Sequence, residues 1–305
     1  MNKFKTVLQP AEMRFSQPLA FPNAAKCGRI LNIGLFFDGT DNNHRVKPPS
    51  VSTNISKLST AYVDNAADGH FNYYVSGVGT PFTEIKKTEA EAFGGAAGAG
   101  GEARIVYGLL QVVNSVHASV NNLELRFEQP TLAALCSATR VDPGDHDRAN
   151  RAYRLSAEQK ILDALNLPRS LVGADDRSFL GHEMDGERSK FFRTVSDELR
   201  QQVTARATRP KIVAIYLDVF GFSRGAAQAR VFVSWLHQYM LQGGQLFGVP
   251  SCVRMLGLFD TVASVGLTCP EGLPPKRRSA CLFQTTRERS RLSSMPSKHC
   301  ARESA

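Results

Sequence analysis

Apolar positions along the chain fall into two patterns. Ile30 to Phe37 (ILNIGLFF), Lys211 to Phe220 (KIVAIYLDVF) and Val253 to Phe259 (VRMLGLF) are near-continuous apolar runs of strand length. Runs of this kind suit strands buried on both faces, as in a parallel sheet. Phe71 to Val75 (FNYYV) reads as a further strand, and the alternation in Leu123 to Phe127 (LELRF) predicts another. Between these runs the spacing becomes helical. A helix is predicted over Asn54–Val63, capped by Thr53 or Asn54, and one from about Glu102 to Val120. In the latter, Ile105, Leu109, Val112, Val113 and Val116 share one face. Further helices are predicted near Ala157–Leu165, over Ser189–Arg206, and from Ser223 to about Leu241. Strands alternating with helices predict an α/β fold with a mostly parallel central sheet.

Three stretches stand apart. Residues 1–28 are polar and Pro-interrupted, and are expected to form an extended arm. Residues 129–185 carry little periodicity and suit an insertion or lid over the core. From Thr268 onward the chain is rich in Arg, Ser and Pro, with few large apolar residues, and is expected to be a disordered tail. The compact domain is therefore placed at 29–267.

Composition narrows this picture. The chain has 305 residues, 42% hydrophobic and 21% charged, enough to bury a core and unlike a disordered or collagen-like chain. No run approaches the roughly 20 apolar residues of a membrane span. The start, MNKFKTVLQPAEMRFSQ, lacks the apolar segment of a secretory signal. A soluble chain made in the cytoplasm is expected. The net charge is +9, but residues 268–305 hold eight Lys/Arg against three Glu, a net of +5. Charge gathered on a tail rather than a folded face argues against nucleic-acid binding. The six cysteines form no C-x-x-C pair and no zinc-spaced cluster with histidine, so no metal or cofactor is expected.

The sharpest chemical signal is G-F-S-R-G at 221–225, directly between a strand and a helix. A turn this tight strains Ser223 at its tip and exposes its hydroxyl above the C-terminal edge of the sheet. The helix that follows offers free N–H groups, among them that of Arg224, to an oxyanion. Asp260 ends the next apolar strand, so the same edge is expected for it, as the carboxylate that orients a base. The plainer alternatives are a serine in an ordinary βα turn and an aspartate capping a following helix. FFDGTDNN (36–43) ends a strand expected near the sheet centre. The backbone at Asp38, Gly39 and Thr40 is expected either to line the site and supply a second oxyanion donor or to form a purely structural turn. A metal or phosphoryl-transfer role for Asp38 would want a carboxylate two residues away, where the chain has Phe36. The glycine loop at 94–101 (GGAAGAGG) lacks the spacing of a phosphate cradle and reads as a hinge or a close-packed segment.

FFDGTDNN, SGVGT (76–80), the glycine loop with its helix, GFSRGAAQAR (221–230) and LGLFDTVASVG (256–266) occur in this order. Together they resemble the catalytic region of the type VI secretion phospholipase effectors. The resemblance implies an α/β-hydrolase-like fold that cleaves glycerophospholipid esters at a membrane surface. It also implies a secretion spike protein and an immunity protein as partners, and delivery to the periplasm of a target cell. By the same matching, Ser223 is the nucleophile and Asp260 the triad acid.

The base is the gap. His237 lies fourteen residues along the helix from Ser223, about 21 Å away. His117 is far along its own helix, while His44 follows FFDGTDNN within reach of the site and His182 falls in the expected lid. His299 has the chain order Ser, Asp, His, but sits in the irregular tail. In the resembling family the histidine comes later, in a longer chain. This departure suggests C-terminal truncation, with a tail read out of frame after Leu267. Three readings follow: an esterase, a non-catalytic remnant of the same fold, and a binder acting through the basic tail.

Overall fold

The computed structural model describes residues 28–46, 52–87, 100–137, 158–168, 170–173, 185–205 and 210–262. Most of the expected N-terminal arm and glycine loop, parts of the expected lid, and the tail lie outside the described residues.

Five strands form one sheet: β1 (Arg29–Phe37), β2 (His70–Val75), β3 (Ile212–Phe222), β4 (Gln245–Leu246) and β5 (Val249–Phe259). Their order is β2-β1-β3-β5-β4. All neighbours run parallel except the short β4–β5 pair. The helices are α1 (Asn54–Ala61), α2 (Gly101–Val120), α3 (Gln129–Leu135), α4 (Asp185–Ala205) and α5 (Arg224–Tyr239). A further helical stretch covers 158–164. The mostly parallel sheet flanked by helices is the α/β architecture the apolar pattern predicts.

Alternation along each strand sorts residues onto two faces. Leu31, Ile33, Leu35 and Phe37 of β1, with Ile215, Leu217 and Val219 of β3, point to one side and are fully buried. There α2 and α5 cover them, with α4 packed on both helices, in a single large core. On the opposite side Phe36 packs with Ile55 of α1, Tyr74 of β2, Tyr62, Phe220 and Phe222 in a smaller cluster. β1 reads as a continuous apolar run because both of its faces are covered.

Several boundaries move. Thr53 is the α1 cap, its hydroxyl accepting from the Ser56 N–H at 3.0 Å. α4 begins four residues earlier than its apolar pattern suggests. β5 begins at Val249 and runs through Pro250, which the antiparallel edge pairing with β4 tolerates. LELRF is not a strand. Asn122 and Leu123 both have positive φ, 57° and 68°, and turn the chain sharply after α2. Phe127 then finds its backbone partner in a side chain: Asn114 accepts from the Phe127 N–H at 2.9 Å and donates to its carbonyl at 3.0 Å. That amide pair replaces a neighbouring strand. α3, with Pro130 in its first turn, opens the stretch 129–185, where the sequence predicts a helix only near Ala157–Leu165.

Candidate active site

Because β1, β2, β3 and β5 are parallel, their C-terminal ends meet at one edge of the sheet. Phe37 lies opposite both Val75 and Gly221, and Phe222 lies opposite Phe259. The residues just beyond these rungs are Asp38, Ser76, Ser223 and Asp260. Open α/β sheets hold their ligands at this edge.

Ser223 occupies φ 55°, ψ −123°, a conformation that costs a non-glycine residue about 1–3 kcal/mol. Its surroundings enforce it. The Ser223 N–H donates to the Phe259 carbonyl at 3.0 Å, while the Ser223 carbonyl accepts from Ala226 at 3.1 Å and Val262 at 3.3 Å. The flanking glycines explain the rest of the motif. A Cβ on Gly221 would lie 2.5 Å from the Gly225 carbonyl oxygen, and one on Gly225 would run into the carbonyls of Phe37 and Asp38. The first turn of α5 therefore sits directly against the end of β1. The Ser223 side chain does not cap α5. Ser223 is half-buried, and no described residue bonds to its hydroxyl.

Asp260 stands on the next rung, exposed, with φ 44°. Its carboxylate has no hydrogen-bond partner among the described residues. The sheet register alone brings it beside Ser223.

The loop after β1 is tightly held. Asp38 is buried, and its carboxylate accepts from Tyr74 OH at 2.6 Å, from the Gly39 N–H at 2.7 Å, and from the Thr53 hydroxyl shared between both oxygens at 2.8 and 2.9 Å. Next to this carboxylate the Tyr74 phenol is held well above its ordinary pKa, first by burial and then by Asp38. The carboxylate of Asp38 thus serves as a structural hub that fastens β1 to β2 and to the cap of α1. The Asp38 N–H donates to the Val75 carbonyl. With the Gly39 N–H engaged by the carboxylate, Thr40 keeps the one backbone N–H of these three that no described group accepts. The Thr40 hydroxyl accepts a hydrogen bond from Nε of Arg224, whose side chain is buried against the loop. Burial lowers the Arg224 pKa, and the Asp41 carboxylate works against that shift.

One positioning residue has no signal in the sequence. Arg104, in the first turns of α2, is buried and donates to the carbonyls of Ser76 (2.7 Å), Gly77 (3.2 Å), Thr80 (3.0 Å) and Gly100 (3.0 Å), with its guanidinium 4.9 Å from the Phe82 ring centroid. It shapes the SGVGT loop, where Gly77 packs against the Gly39 carbonyl so closely that no Cβ would fit. The need for a glycine at 77 could be suspected from sequence; its arginine anchor could not.

No hydrogen bond joins any of the four described histidines to Ser223 or Asp260. His70 starts β2, at the opposite sheet edge. Nδ1 of His117 lies 2.9 Å from the Glu124 carbonyl. His237 is in the last turn of α5, where burial lowers its pKa. His44 lies against Tyr74 with ring centroids 3.8 Å apart and planes tilted by 41°, and burial, then the neighbouring Arg45 charge, lower its pKa. His146, His182 and His299 lie outside the described residues. Among the described residues no group of three or more His, Cys, Asp or Glu is gathered as metal ligands. None of the described helices is long and apolar enough to cross a membrane.

Residues 32–119 match the family model of the type VI secretion system (T6SS) phospholipase effector Tle1-like catalytic domain. This bears out the resemblance carried by FFDGT, SGVGT and α2, and the match ends before Ser223. The fold is similar to a crystal structure of an uncharacterized protein from Pseudomonas aeruginosa, with a TM-score of 0.60 and 29% identity. That similarity covers 80% of this chain and 31% of the other, so the chain spans less than a third of that protein's length. No curated protein matches the sequence.

Proposed function

We propose that the chain is the core of a type VI phospholipase effector, with an α/β-hydrolase-like fold and the chemistry of a serine esterase. The observation that carries this reading is the strained Ser223 turn, set on one sheet edge with Asp260, where the first turn of α5 at Arg224 meets the loop that carries Thr40. The family matched by residues 32–119 supplies the substrate class, glycerophospholipid esters. It also supplies the expected partners, a secretion spike and an immunity protein, and delivery to a target cell.

In the reaction, the Ser223 hydroxyl attacks the acyl carbonyl carbon while its proton passes to a histidine base. The negative oxygen that forms is held by the N–H groups of Arg224 and Thr40, and each such donor is worth roughly 3–4 kcal/mol in the transition state. The bond to the glycerol oxygen then breaks, and that oxygen takes the proton from the base. Water, deprotonated by the same base, releases the fatty acid and restores Ser223. Asp260 orients the histidine. His299 has the expected chain order for that base.

The test is turnover of p-nitrophenyl butyrate and of phosphatidylethanolamine vesicles by the whole chain. Ser223→Ala abolishes both activities, and Asp260→Asn lowers the rate by roughly 10⁴-fold. A fluorophosphonate probe labels Ser223 in the wild-type chain. The absence of any described histidine beside Ser223 favours a second reading, a non-catalytic hydrolase-like fold. A folded sample that neither turns over ester nor takes the label establishes it.

A further inference from the structure

We infer that the Arg224 side chain is a positioning group: it ties Thr40 to the nucleophile helix and so sets the gap between the two oxyanion donors. This rests on the esterase reading of Ser223. The loop after β1 is fastened mainly towards β2 and α1. Tyr74 and Thr53 hold the Asp38 carboxylate, the Asp41 N–H donates to Val78, and Gly77 packs on the Gly39 carbonyl. Thr40 itself is braced from within the loop, where the Asn42 amide donates to its carbonyl at 2.9 Å. Its side chain faces the other way. There Nε of Arg224 donates to the Thr40 hydroxyl across the boundary between the loop and α5.

The arrangement places two tasks on one residue. The Arg224 backbone N–H opens α5 and is one oxyanion donor. Its guanidinium holds the residue that carries the other. A rigid link of this kind matters because oxyanion donors act only when fixed in advance at the place where charge develops. A displacement near 1 Å can cost about 100-fold in rate. Burying a guanidinium at the start of a helix, where the dipole is unfavourable to a cation, is expensive. The bond to Thr40 and the nearby Asp41 carboxylate offset that cost.

The experiment compares Thr40→Val, which keeps shape but loses the hydroxyl, with Thr40→Ser, which keeps the hydroxyl. With p-nitrophenyl butyrate, Thr40→Val lowers kcat by about 10- to 100-fold with KM within about twofold. Thr40→Ser recovers most of that loss. Arg224→Met behaves like Thr40→Val. Hydrogen exchange of the 38–43 amides, read in the same whole-chain samples, rises in Thr40→Val and in Arg224→Met but not in Thr40→Ser. Equal kcat and equal exchange in Thr40→Val and wild type overturn the inference, as does equal damage in Thr40→Ser and Thr40→Val. A wild-type chain without turnover or Ser223 labelling overturns the esterase reading and the catalytic half of this inference. The exchange data then decide the tie by themselves.

Discussion

On one face of the sheet, Leu31, Ile33, Leu35 and Phe37 meet Ile215, Leu217 and Val219 under α2 and α5, and all are sealed from solvent. On the other face, Asn32 stands beside Tyr216, Asp218 and Arg254, and Met255 is half exposed. α1 covers that face over β1 and β2 and reaches β3 near Phe220, through Ile55 and Phe36. Beyond it, a polar set ties the strands together. Nε of Arg254 donates to Asp218 at 3.0 Å and a second nitrogen reaches the other carboxylate oxygen. Nη1 of Arg254 donates to Asn32 at 3.1 Å, and Tyr62 OH donates to Asp218 at 2.8 Å. The same backbone ladder thus carries two stabilising schemes. One is non-directional and tolerant of exact partners; the other is directional and depends on each member.

The largest effect is expected on the sealed face. Phe37→Ala should cost about 3–5 kcal/mol in urea unfolding, the transfer free energy plus an unfilled cavity. A loss below 1 kcal/mol would mean the two faces contribute alike. Next comes the polar set. Asp218→Leu should cost about 1–2 kcal/mol, because Arg254 and Tyr62 lose their acceptor. Adding Arg254→Met should recover part of that, since no unpaired charge then remains and the Tyr62 hydroxyl alone still lacks its acceptor. An additive double variant would show that the pair is not coupled. At the seam between the schemes, Thr53→Val removes the α1 cap and one ligand of Asp38, for about 1 kcal/mol by thermal melting.

Titration sharpens the comparison further. His237 on the sealed side and His44 by Tyr74 both have pKa values lowered by burial. The unfolded chain therefore takes up protons more readily near pH 6.5, and stability falls as the pH drops below that value. His237→Gln should flatten the slope of stability between pH 7 and pH 5; an unchanged slope would assign it to other groups. The smallest effect is expected at Met255, where Met255→Ala should change stability by no more than about 0.5 kcal/mol.

Much of the sheet was legible because burial on both faces leaves an unbroken apolar run, as in β1 and β3. GFSRG was legible because its glycines answer a local steric demand, carried by Gly221 and Gly225. LELRF misled because Leu123 and Leu125 mimic a strand's alternation while both are half exposed in a turn. The polar anchors were hidden for another reason. Arg104 bonds to carbonyls more than twenty residues away, and Arg188 pairs with Glu102 deep between α4 and α2, its guanidinium 4.1 Å from the Trp235 ring centroid. A backbone carbonyl looks the same in every sequence, so nothing in the string marks where such an arginine will be received.

The order of residues alone determined which long apolar runs become strands of the sheet, and that a serine would stand strained between β3 and α5. Both depend on forces that act over a few neighbours: apolar period, turn sterics and caps. Only the tertiary structure decided that β5 would lie next to β3 in the register that puts Asp260 beside Ser223. It also decided that the Asp38 carboxylate would be spent on Tyr74, Thr53 and its own loop, leaving Thr40 to face α5. Those outcomes depend on which distant surfaces fit together, and that is settled by packing across the whole sheet.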